Sequence, residues 1–190
     1  RVAKASKPGQ FVIVKNDEKG ERVPVTVADY DVEKGTVTIV FQTVGASTQQ
    51  LATFEEGDFV ADFVGPLGMP SEFIEEDIEE LKNKNIIDVD VIVGSRNKEL
   101  LILEDEMRAV AKNLYISTDD GSYGFDGRVT DCLKDLVENQ GKKYDHAVVI
   151  GPMIMMKFMS MLTKELNIPT TVSLNPIMVD GTGMCGACRV

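Results

Sequence analysis

The apolar pattern of the chain changes period near Pro70, and that change limits the folds open to it. Before Pro70, apolar residues come in short or alternating runs bounded by turn residues, as antiparallel strands do. Phe11-Val-Ile-Val14, Val23-Pro-Val-Thr-Val-Ala28, the alternating stretch 35–42 and Phe59-Val-Ala-Asp-Phe-Val64 predict four strands. Pro24 has no N–H to give, which puts the second at an edge or a strand start. Gly45-Ala-Ser-Thr-Gln-Gln-Leu51 reads as a turn into a short helix, and the last strand ends at Gly65-Pro-Leu-Gly68. This spacing predicts a small antiparallel β-barrel over residues 1–69.

After Pro70 the pattern alternates strand and helix. A helix capped near Pro70-Ser71 is expected, with Ile74, Ile78 and Leu81 on its apolar side. Strands are expected at 89–93, 113–117, 146–150 and 170–174. Helices are expected at 98–112 (apolar at Leu101, Ile102, Met107 and Val110), 129–139 and 152–166. That order predicts a parallel α/β sheet over 70–174, and an α+β chain of two domains. His146-Ala-Val-Val-Ile150 is almost wholly apolar, as buried central parallel strands are. Its histidine, the only one in the chain, reads as structural. The Met153–Met161 cluster reads as core packing, and Cys132, on a helix, as a packed thiol.

The tail, 175–190, carries the densest chemistry: Asp180-Gly-Thr-Gly-Met-Cys185-Gly-Ala-Cys188. Two thiols three residues apart reach one centre, and small neighbours leave room for a bulky group. The spacing alone fits a redox dithiol, half a zinc site or half an iron–sulfur site. A net charge of −11 argues against nucleic acid or an anionic membrane as partner. Three cysteines in 190 residues suit a reducing cytoplasm better than a disulfide framework. No run has the length of a transmembrane helix, and no signal peptide opens the chain. It starts at Arg1-Val-Ala-Lys and stops two residues past Cys188, which predicts trimmed ends.

Barrel, α/β domain and cysteine tail together resemble the ferredoxin–NADP reductase superfamily. Within it they resemble the small electron-transfer subunits with a C-terminal 2Fe–2S site. Gly65-Pro-Leu-Gly68, Thr118-Asp-Asp-Gly-Ser-Tyr-Gly124, Gly151-Pro-Met-Ile-Met-Met156 and the tail carry the likeness. It implies FAD on the first domain. Arg22 would meet the pyrophosphate, with Pro24, Val25 and Thr26 beside the flavin. Gly45, Ser47 and Thr48 would form a second phosphate element, and Gly65 and Gly68 would lie near the cofactor. It implies NAD(P) on the second domain, at Ser95, Arg96, Asp119, Asp120, Gly151, Pro152 and Met153. It implies a 2Fe–2S cluster held by Asp180, Cys185, Cys188 and a cysteine past Val190.

The implied activity is an NAD(P)H-linked oxidoreductase passing electrons between NAD(H), FAD, the cluster and a larger flavoprotein or iron–sulfur subunit, with ferredoxin a further candidate partner. Full activity would need that subunit, whereas reactivity towards NAD(H) would survive in the chain alone. The electron-transfer subunit of dihydroorotate dehydrogenase is the alternative within the family, though four cysteines are expected there and Asp180 breaks the set. A non-enzymatic zinc module is the alternative outside it. One family feature is missing. Ile86-Ile87 runs straight into Asp88-Val-Asp-Val91, with no Gly-rich dinucleotide loop and no first helix between. Asp88 and Asp90 would also share one face of a buried strand. Both signs predict a segment omitted between 87 and 88, or else a true deletion.

Overall fold

The computed structural model describes residues 1–70, 88–174, 178 and 184–186. The expected helix after Pro70, Ile87, Asp180 and Cys188 lie outside these residues. The chain divides into two compact units, 1–74 with 175–190, and 75–174.

The first unit is built on β1 (Phe11–Lys15). Its apolar run leaves Val12, Ile13 and Val14 at most 1% exposed. β1 pairs antiparallel with β2 (Val23–Asp31) on one side and β4 (Asp62–Leu67) on the other. β3 (Thr36–Ile39) pairs with β2, giving the order β3-β2-β1-β4. Among the described residues no pair joins β3 to β4, so the strands form an open sheet where a closed barrel is expected. β3 covers β2 only from Val27 onwards, so Pro24 sits where no N–H is needed on that side. The fourth strand begins three residues later than its pattern suggests. Phe59, the expected first residue, is 89% exposed. A short helix, α1 (Val2–Ala5), precedes the sheet and buries Ala3. α2 (Ala46–Leu51) follows β3.

The second unit holds parallel strands. β5 (Asp90–Ser95) pairs with β6 (Asn113–Thr118), and β6 with the two-residue β7 (Phe125–Asp126), absent from the sequence reading. β8 (Ala147–Val149) pairs with β9 (Thr170–Val172). Among the described residues these are two separate sheets, of three and two strands, where one is expected. The expected helix 98–112 is instead a single 3₁₀ turn, Lys98–Leu100, and a short α3 (Glu104–Val110). Leu103, at φ 57, separates them. Ile102 and Val110, expected on the apolar side, are 56% and 76% exposed.

α4 (Val129–Glu138) and α5 (Met153–Glu165) bury one face each, at Cys132, Leu133 and Leu136, and at Met156, Met159 and Thr163. The core is Leu133, Val149, Met156 and Met159, with Ile92 and Val172 packed against it. Burial pushes the Cys132 thiol up, with Asp135 adding to it. The methionine cluster is divided: Met153 and Met161 are half exposed. Ile154, Phe158 and Met161 make an exposed apolar stripe on α5 at helical spacing.

Candidate functional site

In the first unit, Arg22 stands one residue before β2, with its side chain half exposed and its guanidinium 3.3 Å from the Asp62 carboxylate. The next residue back, Glu21, accepts a hydrogen bond from Ser47 Oγ at 3.1 Å. The fold therefore brings Glu21, the neighbour of Arg22, to the start of α2, although they are far apart in the chain. α2 is fixed there by Asn16, which sequence reasoning missed. Asn16 is 5% exposed and donates from Nδ2 to the Ser47 carbonyl (2.7 Å) and to Gln50 Oε1 (3.2 Å). Thr48 Oγ1 accepts from the Gly45 N–H at 3.1 Å, so Thr48 rather than Ser47 closes the helix start. The leading N–H groups of a helix have no partner within it, and an anion suits them.

Val25 is buried on β2 while Thr26 is exposed, so only Thr26 of that pair faces outward. Gly65 and Gly68 have packing reasons of their own. A Cβ on Gly65 would fall 2.6 Å from Val12 Cγ1, and one on Gly68, at φ +81, would fall 2.9 Å from the Phe11 ring. Gly45 has open space around it.

In the second unit, the loops after β5 and β6 are tied together. The Asp119 N–H donates to the Ser95 carbonyl (3.1 Å) and the Asp120 N–H to the Arg96 carbonyl (3.2 Å). The Lys98 N–H donates to Ser122 Oγ at 2.9 Å. Arg96, Asp119 and Asp120 are exposed on this shared rim, at the carboxyl ends of parallel strands, where open α/β sheets bind ligands. Asp120 is held below the usual carboxylate range by hydrogen bonds from the Ser122 side chain and backbone. Gly151, Pro152 and Met153 lie past β8, a strand of the other sheet, at the exposed start of α5. Cys185 is exposed on a turn, followed by Gly186 at φ +64.

The two aspartates that look misplaced in the sequence both have partners. Asp88 pairs with Lys112. The Asp90 side chain is 8% exposed and accepts from Lys142 Nζ (2.8 Å), Tyr144 OH (3.0 Å) and Asn113 Nδ2 (2.6 Å). Desolvation pushes its carboxyl up, but the three donors outweigh that and hold it below its ordinary value. Because the folded pKa lies below the unfolded one, this stabilisation is present above about pH 4 and fades as pH falls through the folded value. Asp90→Asn is expected to cost about 1–3 kcal/mol at neutral pH, with the gap from the native chain closing in acid. Urea unfolding at pH 7 and pH 3 measures it; a gap that is the same at both would rule out the charge as its cause.

No protein-family model matches the chain. An uncharacterised protein of Clostridium beijerinckii is 69% identical over 213 aligned positions, which cover 100% of this chain and 72% of the relative. A Thermotoga maritima protein named as a homologue of the dihydroorotate dehydrogenase B (NAD(+)) electron-transfer subunit is 42% identical over 209 positions, covering 100% and 72%. Among solved structures, that of NADH-dependent reduced ferredoxin-NADP oxidoreductase, studied for flavin-based electron bifurcation, matches with a TM-score of 0.82 at 41% identity. The match covers 99% of this chain and 73% of that one.

Proposed function

The chain belongs to the family of dihydroorotate dehydrogenase B electron-transfer subunits and their homologues, and on that premise we propose that it is a flavin and iron–sulfur electron-transfer subunit. FAD is its flavin, held on the first unit, residues 1–69. A 2Fe–2S cluster is held by the tail, 175–190, and a larger flavoprotein subunit is the partner. The observation that carries this reading is that Glu21, the residue next to Arg22, meets Ser47 at the start of α2, while Arg22 pairs with Asp62. A half-exposed guanidinium offers a diphosphate a planar fork of donors. It would leave Asp62 for a dianion at little cost, since exposed ion pairs are weak. The N–H groups of Ala46 and Ser47 add donors from a second direction, and Asn16 keeps them in place. Thr26 is exposed on the strand that follows Arg22, as a residue facing the flavin must be.

When bound, FAD supplies the conversion between two-electron and one-electron transfer. This chain positions the flavin and supplies no acid–base side chain of its own. The donor set of the tail, two thiolates and the Asp180 carboxylate, suits an iron–sulfur centre with one hard ligand. That carboxylate separates this reading from the dihydroorotate dehydrogenase subunit proper, which several relatives are named for. A visible spectrum with flavin and metal analysis tests the assignment. Protein purified without oxygen is expected to hold about one FAD per chain, one cofactor to one sheet. FMN in its place, no flavin, or zinc without iron would overturn the reading. Among the described residues no helix is long and apolar enough to cross a membrane.

A further inference from the structure

We propose that Thr118 is a positioning residue for a nicotinamide dinucleotide. Its buried hydroxyl closes the loop after β6 and so fixes the rim on which Arg96 and Asp119 are displayed. This rests on the electron-transfer reading above and on a dinucleotide seat at that rim, and the experiment below separates these from the role of Thr118.

Thr118 is the last residue of β6 and is 0% exposed. A β-branched residue suits a strand, and a hydroxyl at its end can serve the backbone that leaves it. Thr118 Oγ1 accepts from the Tyr123 N–H at 3.0 Å and donates to the Tyr123 carbonyl at 2.8 Å. One side chain thus satisfies both backbone groups of a residue five positions on. The Thr118 carbonyl accepts from the Gly121 N–H (3.1 Å) and the Gly127 N–H (3.0 Å). The loop has no slack. A Cβ on Gly121, at φ +68, would fall 2.7 Å from the carboxyl carbon of Asp126.

The closed loop is locked to its neighbour. The register of β5 on β6 sets Ser95 beside Thr118. From there the Asp119 and Asp120 N–H groups reach the Ser95 and Arg96 carbonyls, and Ser122 Oγ accepts from the Lys98 N–H. Lys98 Nζ lies 4.8 Å from the centre of the Tyr123 ring. The Tyr123 hydroxyl donates to Glu104 Oε1 at 3.0 Å, which ties α3 to the same loop.

What this frame displays differs from what builds it. The side chains of Arg96 and Asp119 are exposed and, among the described residues, make no hydrogen bond or ion pair within the chain. A guanidinium suits a phosphate and a carboxylate suits a ribose hydroxyl, and a dinucleotide offers both. A seat that is already ordered keeps more of its contact energy as affinity. Without the Thr118 hydroxyl, both Tyr123 backbone groups lose their partner, and the loop must shift to satisfy them. Asp119 and Asp120 shift with it. The loss therefore falls on nucleotide affinity, because the flavin is held on the first unit.

The test uses the full chain with its FAD, including residues past Val190. NADH and NADPH are titrated by calorimetry, and flavin reduction is followed without oxygen to give a limiting rate. Thr118→Val is expected to weaken the tighter nucleotide about tenfold and to move the limiting rate less. Thr118→Ser, which keeps the hydroxyl, is expected to restore native affinity. Ser122→Ala, on the exposed side of the loop, is expected to give a smaller loss, about threefold. Gly141→Ala is the control for lost stability alone, since it lies in the same unit but away from the rim, and its affinity should stay native. Affinity in Thr118→Val within about twofold of native, with Arg96→Ala weakened, would overturn the role of Thr118 and leave the seat in place. A Thr118→Ser variant as weak as Thr118→Val would also overturn it. Native affinity in Arg96→Ala, Asp119→Asn and Thr118→Val together would remove the seat from this rim, and the proposal with it. A native chain that binds neither nucleotide would overturn the proposal and the electron-transfer reading together.

Discussion

Replacing Cys185 by serine is expected to abolish the 2Fe–2S signal of the purified protein while FAD stays at about one per chain. A serine hydroxyl does not give up its proton as readily as a thiol and is a poor partner for iron. Changes beyond the ligand shell already cost roughly 10–100-fold in metal affinity, so removing a ligand should lower iron occupancy by more than about tenfold. Flavin should be untouched, because Arg22 is paired with Asp62 and α2 is held by Asn16. The same preparation grades the third ligand. Asp180→Ala should lower occupancy, whereas Asp180→Cys should keep a cluster with a shifted potential and EPR spectrum. Iron analysis and EPR on protein that includes residues past Val190 read all three variants. Unchanged iron and EPR in Cys185→Ser would remove the tail from the electron path.

The second large effect is structural. Gly124→Ala is expected to cost about 3 kcal/mol or more, and to lower the unfolding temperature by about 6 °C or more. Gly124 sits at φ +74, and a Cβ there would lie 2.2 Å from the Ile116 carbonyl oxygen and 2.9 Å from its carbon. Ile116 is a buried residue of β6, so neither side can give way. Gly141 provides the control. It has φ +70, but a methyl group added there would meet nothing within 4 Å, so Gly141→Ala should show only the conformational cost, about 1 kcal/mol. Thermal and urea unfolding of both variants decide the matter. Equal losses would mean that the turn after β6 has room for a side chain at Gly124.

The elements easiest to read in the sequence are those whose apolar pattern is local to the strand itself. Phe11-Val-Ile-Val14 lies in β1 as a short apolar run with Val12, Ile13 and Val14 buried, and of the alternating stretch 35–42 only Thr36–Ile39 form β3. The expectation over 98–112 fails at Leu103, whose left-handed backbone ends a turn that the apolar spacing alone would continue. β7 is two residues long and has no periodicity to detect. Asn16 is invisible in the sequence because a buried amide is defined by partners 31 and 34 residues away. Asp90 misleads for the same reason. Its carboxylate looks foreign to a strand because Lys142 and Tyr144, the groups that meet it, lie more than fifty residues later. For the candidate site, the residue types are legible and their company is not. That Arg22 stands beside Asp62, and that the Ser95-Arg96 and Asp119-Asp120 loops are laced together, are facts of the fold.

The exposed stripe on α5 bears on how the protein behaves among its own copies. Val148 and Ile150, the stripe of Ile154, Phe158 and Met161 on α5, and strand edges that lack a described neighbour are the features by which folded chains adhere to one another. What opposes this is the excess of acidic residues, 31 against 20 basic ones, which makes identical molecules repel. Salt shortens that repulsion to about 10 Å at 0.1 M and leaves the apolar contacts intact. Colloidal stability of the isolated chain is thus set by ionic strength, and a partner that covers these strands would relieve it of that dependence.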